Sequence, residues 1–192
     1  MQKRDVLRHV GIIAVLSIAT SVALNILLLH SALPQHSIRY QEASAVLYSP
    51  PFWQQIVYNG IAAPILEEIL FRGVLFRVLR RWVAFPWAMI ISAVVFGAYH
   101  GNLVQFAYAG ICGVLLAYLC EKYDSIIAPI VSHMVMNMVA IVFTQWGVFA
   151  QIMKSSVVAV LAMLVCTVCA VVMLRVLQKL DVTKVLKIYC KE

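Results

Sequence analysis

Residues 60–81 read GIAAPILEEILFRGVLFRVLRR, a largely apolar stretch that carries two adjacent glutamates and ends in basic residues. Glu67 and Glu68 are the only acidic residues inside the apolar segments of the chain. An ionised side chain at the centre of a bilayer costs roughly 2.5–3.5 kcal/mol, so such residues usually face a protein interior. The pair therefore indicates either an interior polar site or a buried ion pair that fixes helix packing.

The composition shows which solvent surrounds this stretch. Of 192 residues, 64% are hydrophobic and only 12% are charged, where a soluble domain has about 25% charged residues. The mean hydropathy of +0.93 indicates that the lipid bilayer is the solvent. The net charge of +7 does not indicate nucleic acid, because the basic residues cluster at the ends of apolar runs.

Six apolar segments predict the architecture, at about 10–29, 48–70, 84–99, 103–120, 125–148 and 155–174. The third and fourth are short for a crossing of about 20 residues, so they tilt or meet inside the membrane. Basic residues precede the first segment and follow the second, fourth and sixth. The positive-inside rule places those ends in the cytoplasm. We therefore expect an all-α, polytopic transmembrane bundle of about six spans, with both termini cytoplasmic.

The remaining segments complete the expected organisation of a single membrane domain, 1–192. The first apolar segment lacks a small-residue cleavage site, so we expect a retained span. Residues 30–50 contain prolines and polar residues and are predicted to form the one long loop, outside the cell. The basic tail, residues 176–192, is predicted to be cytoplasmic, either as an amphipathic helix on the inner leaflet or as a topological signal alone. Cys166 and Cys169 are predicted to be packing residues.

Helix geometry predicts different roles for the two glutamates. Neighbouring residues on a helix point about 100° apart, so the two carboxyl groups are not expected to meet at one spot. Glu68 and Arg72 are spaced i, i+4 and are placed to pair. Glu67 has apolar neighbours, a setting that favours the protonated carboxyl and suits an acid or base near neutral pH. Pro64 removes the helical donor for the Gly60 carbonyl, which kinks the helix or admits water, or is a harmless membrane-helix proline.

Two histidines lie in apolar segments at helical spacing from a second residue of interest. Phe96 and His100 are four apart, and so are His133 and Asn137, so each pair shares a helix face. At 1.5 Å per residue, Glu67, His100 and His133 lie about 13–21 Å from the predicted inner surface. All three can reach one level on the cytoplasmic side of the midplane. Gly97 and Gly101 form a GxxxG spacing that would let the His100 helix approach the glutamate helix.

These motifs resemble the CPBP family, the CAAX-protease and bacteriocin-processing membrane proteins often called Abi proteins. Glu67-Glu68-x-x-x-Arg72 matches its EExxxR signature, Phe96-x-x-x-His100 matches FxxxH, and His133-x-x-x-Asn137 matches HxxxN. The resemblance covers about residues 50–145, which we expect to be the catalytic core. Six spans would be fewer than the seven or eight usual in the family.

The resemblance implies an intramembrane endopeptidase. It implies that Glu67 activates a water with help from His100, that His133 and Asn137 hold the oxyanion, and that Glu68, Arg72 and Phe96 support the site. Older descriptions of the family instead make it a zinc metalloprotease, for which Glu67, His100 and His133 would be the ligands. We favour a site without a cofactor, because no HExxH pair places two zinc ligands on one helix.

The sequence is compatible with three classes of function. The first is a peptidase acting near the cytoplasmic leaflet on a membrane-associated peptide or a lipidated, CAAX-like protein, with membrane lipids as further partners and no nucleic acid. In a bacterial plasma membrane this would be bacteriocin or signal-peptide processing, or immunity. The second is a proton-coupled transporter, since buried Glu and His also mark ion pathways. The third is a non-catalytic immunity or scaffold protein.

Overall fold

The computed structural model describes residues 2–182 and contains helices without any strand in that range. The helices are α1 Gln2–His30, α2 Leu33–His36, α3 Ile38–Tyr48, α4 Phe52–Gln55, α5 Ala63–Glu68, α6 Arg77–Trp82, α7 Phe85–Tyr99, α8 Leu103–Tyr123, α9 Ile127–Gln145, α10 Val148–Met153 and α11 Ser156–Lys179. Two π-helical stretches, π1 Ile56–Ala62 and π2 Ile69–Phe76, join α4, α5 and α6 into one continuous rod over residues 52–82, called here the glutamate helix. The all-α prediction is confirmed.

Four described helices are long and apolar enough to cross a membrane: Arg4–His30 within α1, and α8, α9 and α11. The glutamate helix is longer than a crossing requires, at roughly 30 residues or about 45 Å. Helix α7 has 15 residues, so it is short, as its sequence indicates. The expected shortness of the fourth segment is wrong, because α8 has 21 residues. The protein is a multi-pass membrane protein.

The long loop predicted at 30–50 is wrong, because this segment is mostly helical. Pro34 lies in the first turn of α2, where a missing N–H costs nothing. The Ser37 hydroxyl caps α3 by accepting a hydrogen bond from the Tyr40 N–H at 3.3 Å. Proline and serine therefore start helices here, and α3 becomes a wall of the cavity described below.

The glutamate helix changes its hydrogen-bond register around the two acidic residues. The Ala63 N–H bonds to the Tyr58 carbonyl, an i→i−5 bond, directly before Pro64. Because proline lacks the N–H that the Gly60 carbonyl needs, the wider π-helical register absorbs the break. Glu67 and Glu68 thus occupy a single α-helical segment between two π-helical stretches, a feature that is frequent at functional sites.

Close packing of α7 on α8 depends on small residues. A Cβ added to Gly97 would lie 2.7 Å from the Phe106 carbonyl oxygen, so α8 approaches this face to backbone contact. The GxxxG prediction is therefore partly wrong, because Gly97 meets α8 rather than the glutamate helix. Gly101 instead forms the turn after α7, with φ of 73° and open space around it.

The basic segments gather at one end of the bundle, called here the basic end. His9 of α1 hydrogen-bonds the Tyr123 hydroxyl at the end of α8 at 2.7 Å. Lys122 donates to the Leu180 carbonyl just past α11 at 3.3 Å. The beginning of α1 and the end of α11 thus lie at the same end, as an even number of crossings predicts.

The glutamate helix also ends there, because Arg80 pairs with Glu121 at 2.8 Å. Residues up to Lys179 of the predicted basic tail belong to α11. Residues 183–192 lie outside the described residues.

Candidate active site

Glu68 is sealed inside the bundle with Arg72, one turn further along. The Arg72 guanidinium donates to Glu68 Oε1 at 2.7 Å, and neither side chain is exposed. A second guanidinium nitrogen donates to the Gly113 carbonyl at 3.1 Å, and the guanidinium carbon lies 4.4 Å from the centre of the Phe96 ring. The predicted Glu68–Arg72 pair is confirmed, with α7 and α8 enclosing it.

Gly113 is required for this enclosure. A Cβ at that position would lie 3.1 Å from Ala93 and 3.2 Å from the Arg72 guanidinium. The small residue lets α8 present its carbonyl to the arginine. A buried ion pair needs such extra hydrogen bonds to offset the desolvation of its charges.

His133 lies between the two glutamates. Its Nδ1 hydrogen-bonds Glu68 Oε1 at 2.9 Å, and its Nε2 lies 3.7 Å from Glu67 Oε2. The two carboxyl groups thus contact opposite nitrogens of one ring, and the expectation that they do not meet at one spot is confirmed. The two nitrogens of an imidazole point in different directions, so carboxyl groups about 100° apart on one helix can address both of them.

His100 is held at the end of α7 by its own helix. Its Nδ1 lies 2.9 Å from the Phe96 carbonyl oxygen. The Phe96 ring, only 1% exposed, contacts the rings of His100 and His133 edge-on, with centres 5.1 and 5.7 Å apart. The Phe96 ring thus contacts both histidine rings and the Arg72 guanidinium, and it holds these three groups in place.

Asn137 lies one turn beyond His133 on α9. Its side-chain amide donates to the Asn59 carbonyl at 2.9 Å. Asn59 belongs to π1, so the irregular part of the glutamate helix supplies the acceptor that orients this amide.

A cavity of about 240 Å³ joins these side chains, which is room for several waters. Glu67, with 20% of its side chain exposed, lines it, whereas Glu68 does not. The sequence-predicted residues that line it are Glu67, Phe96, His100, His133 and Asn137.

Further polar residues of the cavity wall were not predicted as site residues: Asn25, Tyr40, Ser44, Tyr48, Asn59, Gln105, Tyr108 and Cys112. One signal was available, since Asn59 and Gln105 are uncharged polar residues within apolar segments. The contribution of α3 had no such signal, because it depends on how that helix folds over the bundle.

The predicted zinc alternative does not fit this arrangement. Within residues 2–182, no group of three or more His, Cys, Asp or Glu side chains is placed to hold a metal ion. The Nδ1 atoms of His100 and His133 contact Phe96 and Glu68, so only the Nε2 atoms of these rings could bind a metal. Zinc needs three protein ligands converging at about 2.0–2.2 Å, so we derive no step through a metal.

Comparison with known proteins addresses the resemblance directly. Residues 49–139 match the family described as type II CAAX prenyl endopeptidase Rce1-like. This segment includes all three motifs. The resemblance to the CPBP family is thus confirmed.

The Bacillus subtilis (strain 168) protein named "Putative membrane peptidase YdiL" is 37% identical over 82 residues. The aligned part covers 43% of this chain and 34% of that protein, so the match spans about a third of the length of that relative. No solved structure matches at a significant level. The matches support a membrane protease at the level of the family.

Proposed function

We propose that the protein is an intramembrane endopeptidase that hydrolyses a peptide bond of a membrane-associated polypeptide inside the cavity. The observation that carries the proposal is the separation of the two glutamates. Glu68 is fully buried in its pair with Arg72, whereas Glu67 is exposed to the cavity beside two histidines and an amide. A base must reach the water that it activates, and only Glu67 of the pair meets that requirement.

Glu67 and His100 form the water-activating pair. The Phe96 carbonyl can only accept, so His100 carries a hydrogen on Nδ1, and the form of the ring without a second proton has a lone pair on Nε2. That nitrogen accepts a hydrogen bond from the water while a Glu67 oxygen removes its proton. The water oxygen then bonds to the substrate carbonyl carbon.

His133 and Asn137 stabilise the oxyanion that results. His133 donates its Nδ1–H to Glu68, so its Nε2 donates to the oxyanion only when the ring has taken a second proton from water in the cavity. Asn137 donates one amide hydrogen to the Asn59 carbonyl, and the second hydrogen of its amide can donate to the oxyanion. When the tetrahedral intermediate collapses, Glu67 passes its proton to the leaving nitrogen as the C–N bond breaks.

The substrate class follows from the location of the cavity within a membrane bundle. A peptide released from a membrane-associated precursor suits it, such as a bacteriocin or a signal peptide, in a bacterial plasma membrane. Cleavage of a prenylated CAAX protein is a narrower variant that needs a prenylated partner.

The test is a cleavage assay in proteoliposomes with Glu67→Gln and the matched control Glu121→Gln. Glu121 lies at the surface of the basic end in its pair with Arg80. We expect Glu67→Gln to lose about 10²–10⁴-fold in kcat, the contribution of a positioned base, and Glu121→Gln to retain full turnover. Undiminished turnover of Glu67→Gln would reject the proposal, and Glu67-dependent proton flux without cleavage would favour a transporter.

A further inference from the structure

A second depression on the protein surface adjoins the candidate active site. It is an open groove of about 700 Å³ between α3 and the first part of the glutamate helix. Leu47, Asn59 and Gln105 line both the groove and the cavity. Because the two spaces share these lining residues, the groove adjoins the cavity that contains Glu67.

The groove lies at the end of the bundle away from the basic end. The cavity walls include the last turns of α1, the end of α7, the first half of α8 and the part of α9 from His133 to Ile141. Helix α3 is tied to the same end, where Gln55 donates to the Tyr48 carbonyl at 3.2 Å. The sequence predicts a site on the cytoplasmic side of the midplane. The cavity instead extends toward the opposite end of the bundle, away from the basic end.

The distribution of basic residues indicates which side of the membrane the groove faces. The arginines and lysines at the ends of α1, α6, α8 and α11 share the basic end, and such residues are retained in the cytoplasm. The groove then faces the non-cytoplasmic side. Among residues 2–182, the charged residues that line it are Arg39 and Glu42, one turn apart on α3, so this lining carries no excess of either charge.

The lining of the groove matches an extended peptide. Three primary amides, from Gln54, Asn59 and Gln105, lie along it together with the aliphatic residues Val46 and Leu47. A primary amide both donates and accepts hydrogen bonds, as each peptide unit of an extended chain requires. The acyl chain of a lipid has no donor or acceptor that could hydrogen-bond these amides.

We propose that the groove between α3 and the glutamate helix is the access path of the substrate, which is an extended polypeptide segment on the non-cytoplasmic side of the membrane. This inference rests on the proposed peptidase function and specifies its substrate. Leu47, Asn59 and Gln105 form the passage through which the chain reaches Glu67. The class of substrate is thus an exported or outward-facing peptide segment rather than a cytoplasmic protein terminus.

A matched pair of tryptophan variants tests the path. Ala43 lines the groove, and Ala45 is an exposed residue of the same helix that does not. In detergent, with a pool of quenched-fluorescent, unstructured peptides as the probe, Ala43→Trp should lower kcat/KM by about tenfold or more, while Ala45→Trp should leave it unchanged. Equal turnover of both variants, with equal unfolding temperatures, would overturn the proposed path.

Sidedness is tested with the same membrane-impermeant peptides and membrane vesicles of both orientations. We expect cleavage by right-side-out vesicles and none by sealed inside-out vesicles until detergent opens them. Cleavage by sealed inside-out vesicles alone would overturn the inference and leave the peptidase function standing. Absence of Glu67-dependent cleavage in detergent would reject the peptidase function itself, so the two failures are distinguishable.

Discussion

The two halves of the bundle differ in what fills their interior. In the half near α3, polar side chains surround a cavity, and Glu67 is exposed to it. Toward the basic end, the interior is filled by apolar clusters such as Phe76, Ala88 and Ala117. Glu67 and Glu68, adjacent in sequence, lie on the two sides of this boundary. The same residue type is thus exposed to a cavity or sealed in an ion pair, according to how the neighbouring helices pack around it.

Removing the charge of the sealed glutamate should produce the largest loss of stability. Glu68→Gln leaves the Arg72 guanidinium buried without its anion, and breaking a buried pair costs about 3–5 kcal/mol. SDS titration in mixed micelles measures the free energy of unfolding. Glu121→Gln is the control, because its pair with Arg80 is partly solvated. Equal stability of the two variants would show that the Glu68–Arg72 pair does not hold the helices together.

Truncating Asn137 should act on the reaction rather than on the fold. Asn137→Ala removes one candidate oxyanion donor, so kcat should fall about 10²–10³-fold, or ~2.7–4 kcal/mol in activation free energy. KM should change little. The measurement is steady-state cleavage beside the unfolding temperature. A rise in KM at constant kcat would instead indicate that Asn137 binds substrate without stabilising the transition state.

A smaller effect is expected where α7 meets α8. Gly97→Ala places a Cβ against the Phe106 carbonyl, and such overpacking typically costs about 1–3 kcal/mol. Gly11→Ala is the matched control, because a Cβ there meets nothing within 4 Å. If Gly97→Ala proved as stable as Gly11→Ala in SDS titration, the close α7–α8 contact would be wrong.

Much of this molecule could be predicted from the spacing of residues along single helices. The all-α bundle follows from apolar runs, and the Glu68–Arg72 pair follows from i, i+4 spacing. The convergence of Glu67, His100 and His133 on one cavity agrees with the common depth expected from the rise per residue, although the cavity extends toward the end of the bundle away from the basic end.

The features that the sequence did not predict depend on contacts between helices. His133 bridges both glutamates because α9 packs against the glutamate helix, and no spacing within either helix reveals that contact. The prolines and polar residues of the 30–50 segment predict a loop, whereas Pro34 lies in the first turn of α2 and Ser37 caps α3. The π-helical stretches depend on a shift of hydrogen-bond register that tertiary packing stabilises.

The central claim is that Glu67 reacts and Glu68 supports. Its most direct test compares Glu67→Gln and Glu68→Gln in one proteoliposome preparation, with cleavage rate and unfolding temperature measured on both. We predict that Glu67→Gln retains the wild-type unfolding temperature and loses cleavage, while Glu68→Gln unfolds at a clearly lower temperature. The opposite pattern, with full cleavage by Glu67→Gln or wild-type stability of Glu68→Gln, would contradict the claim.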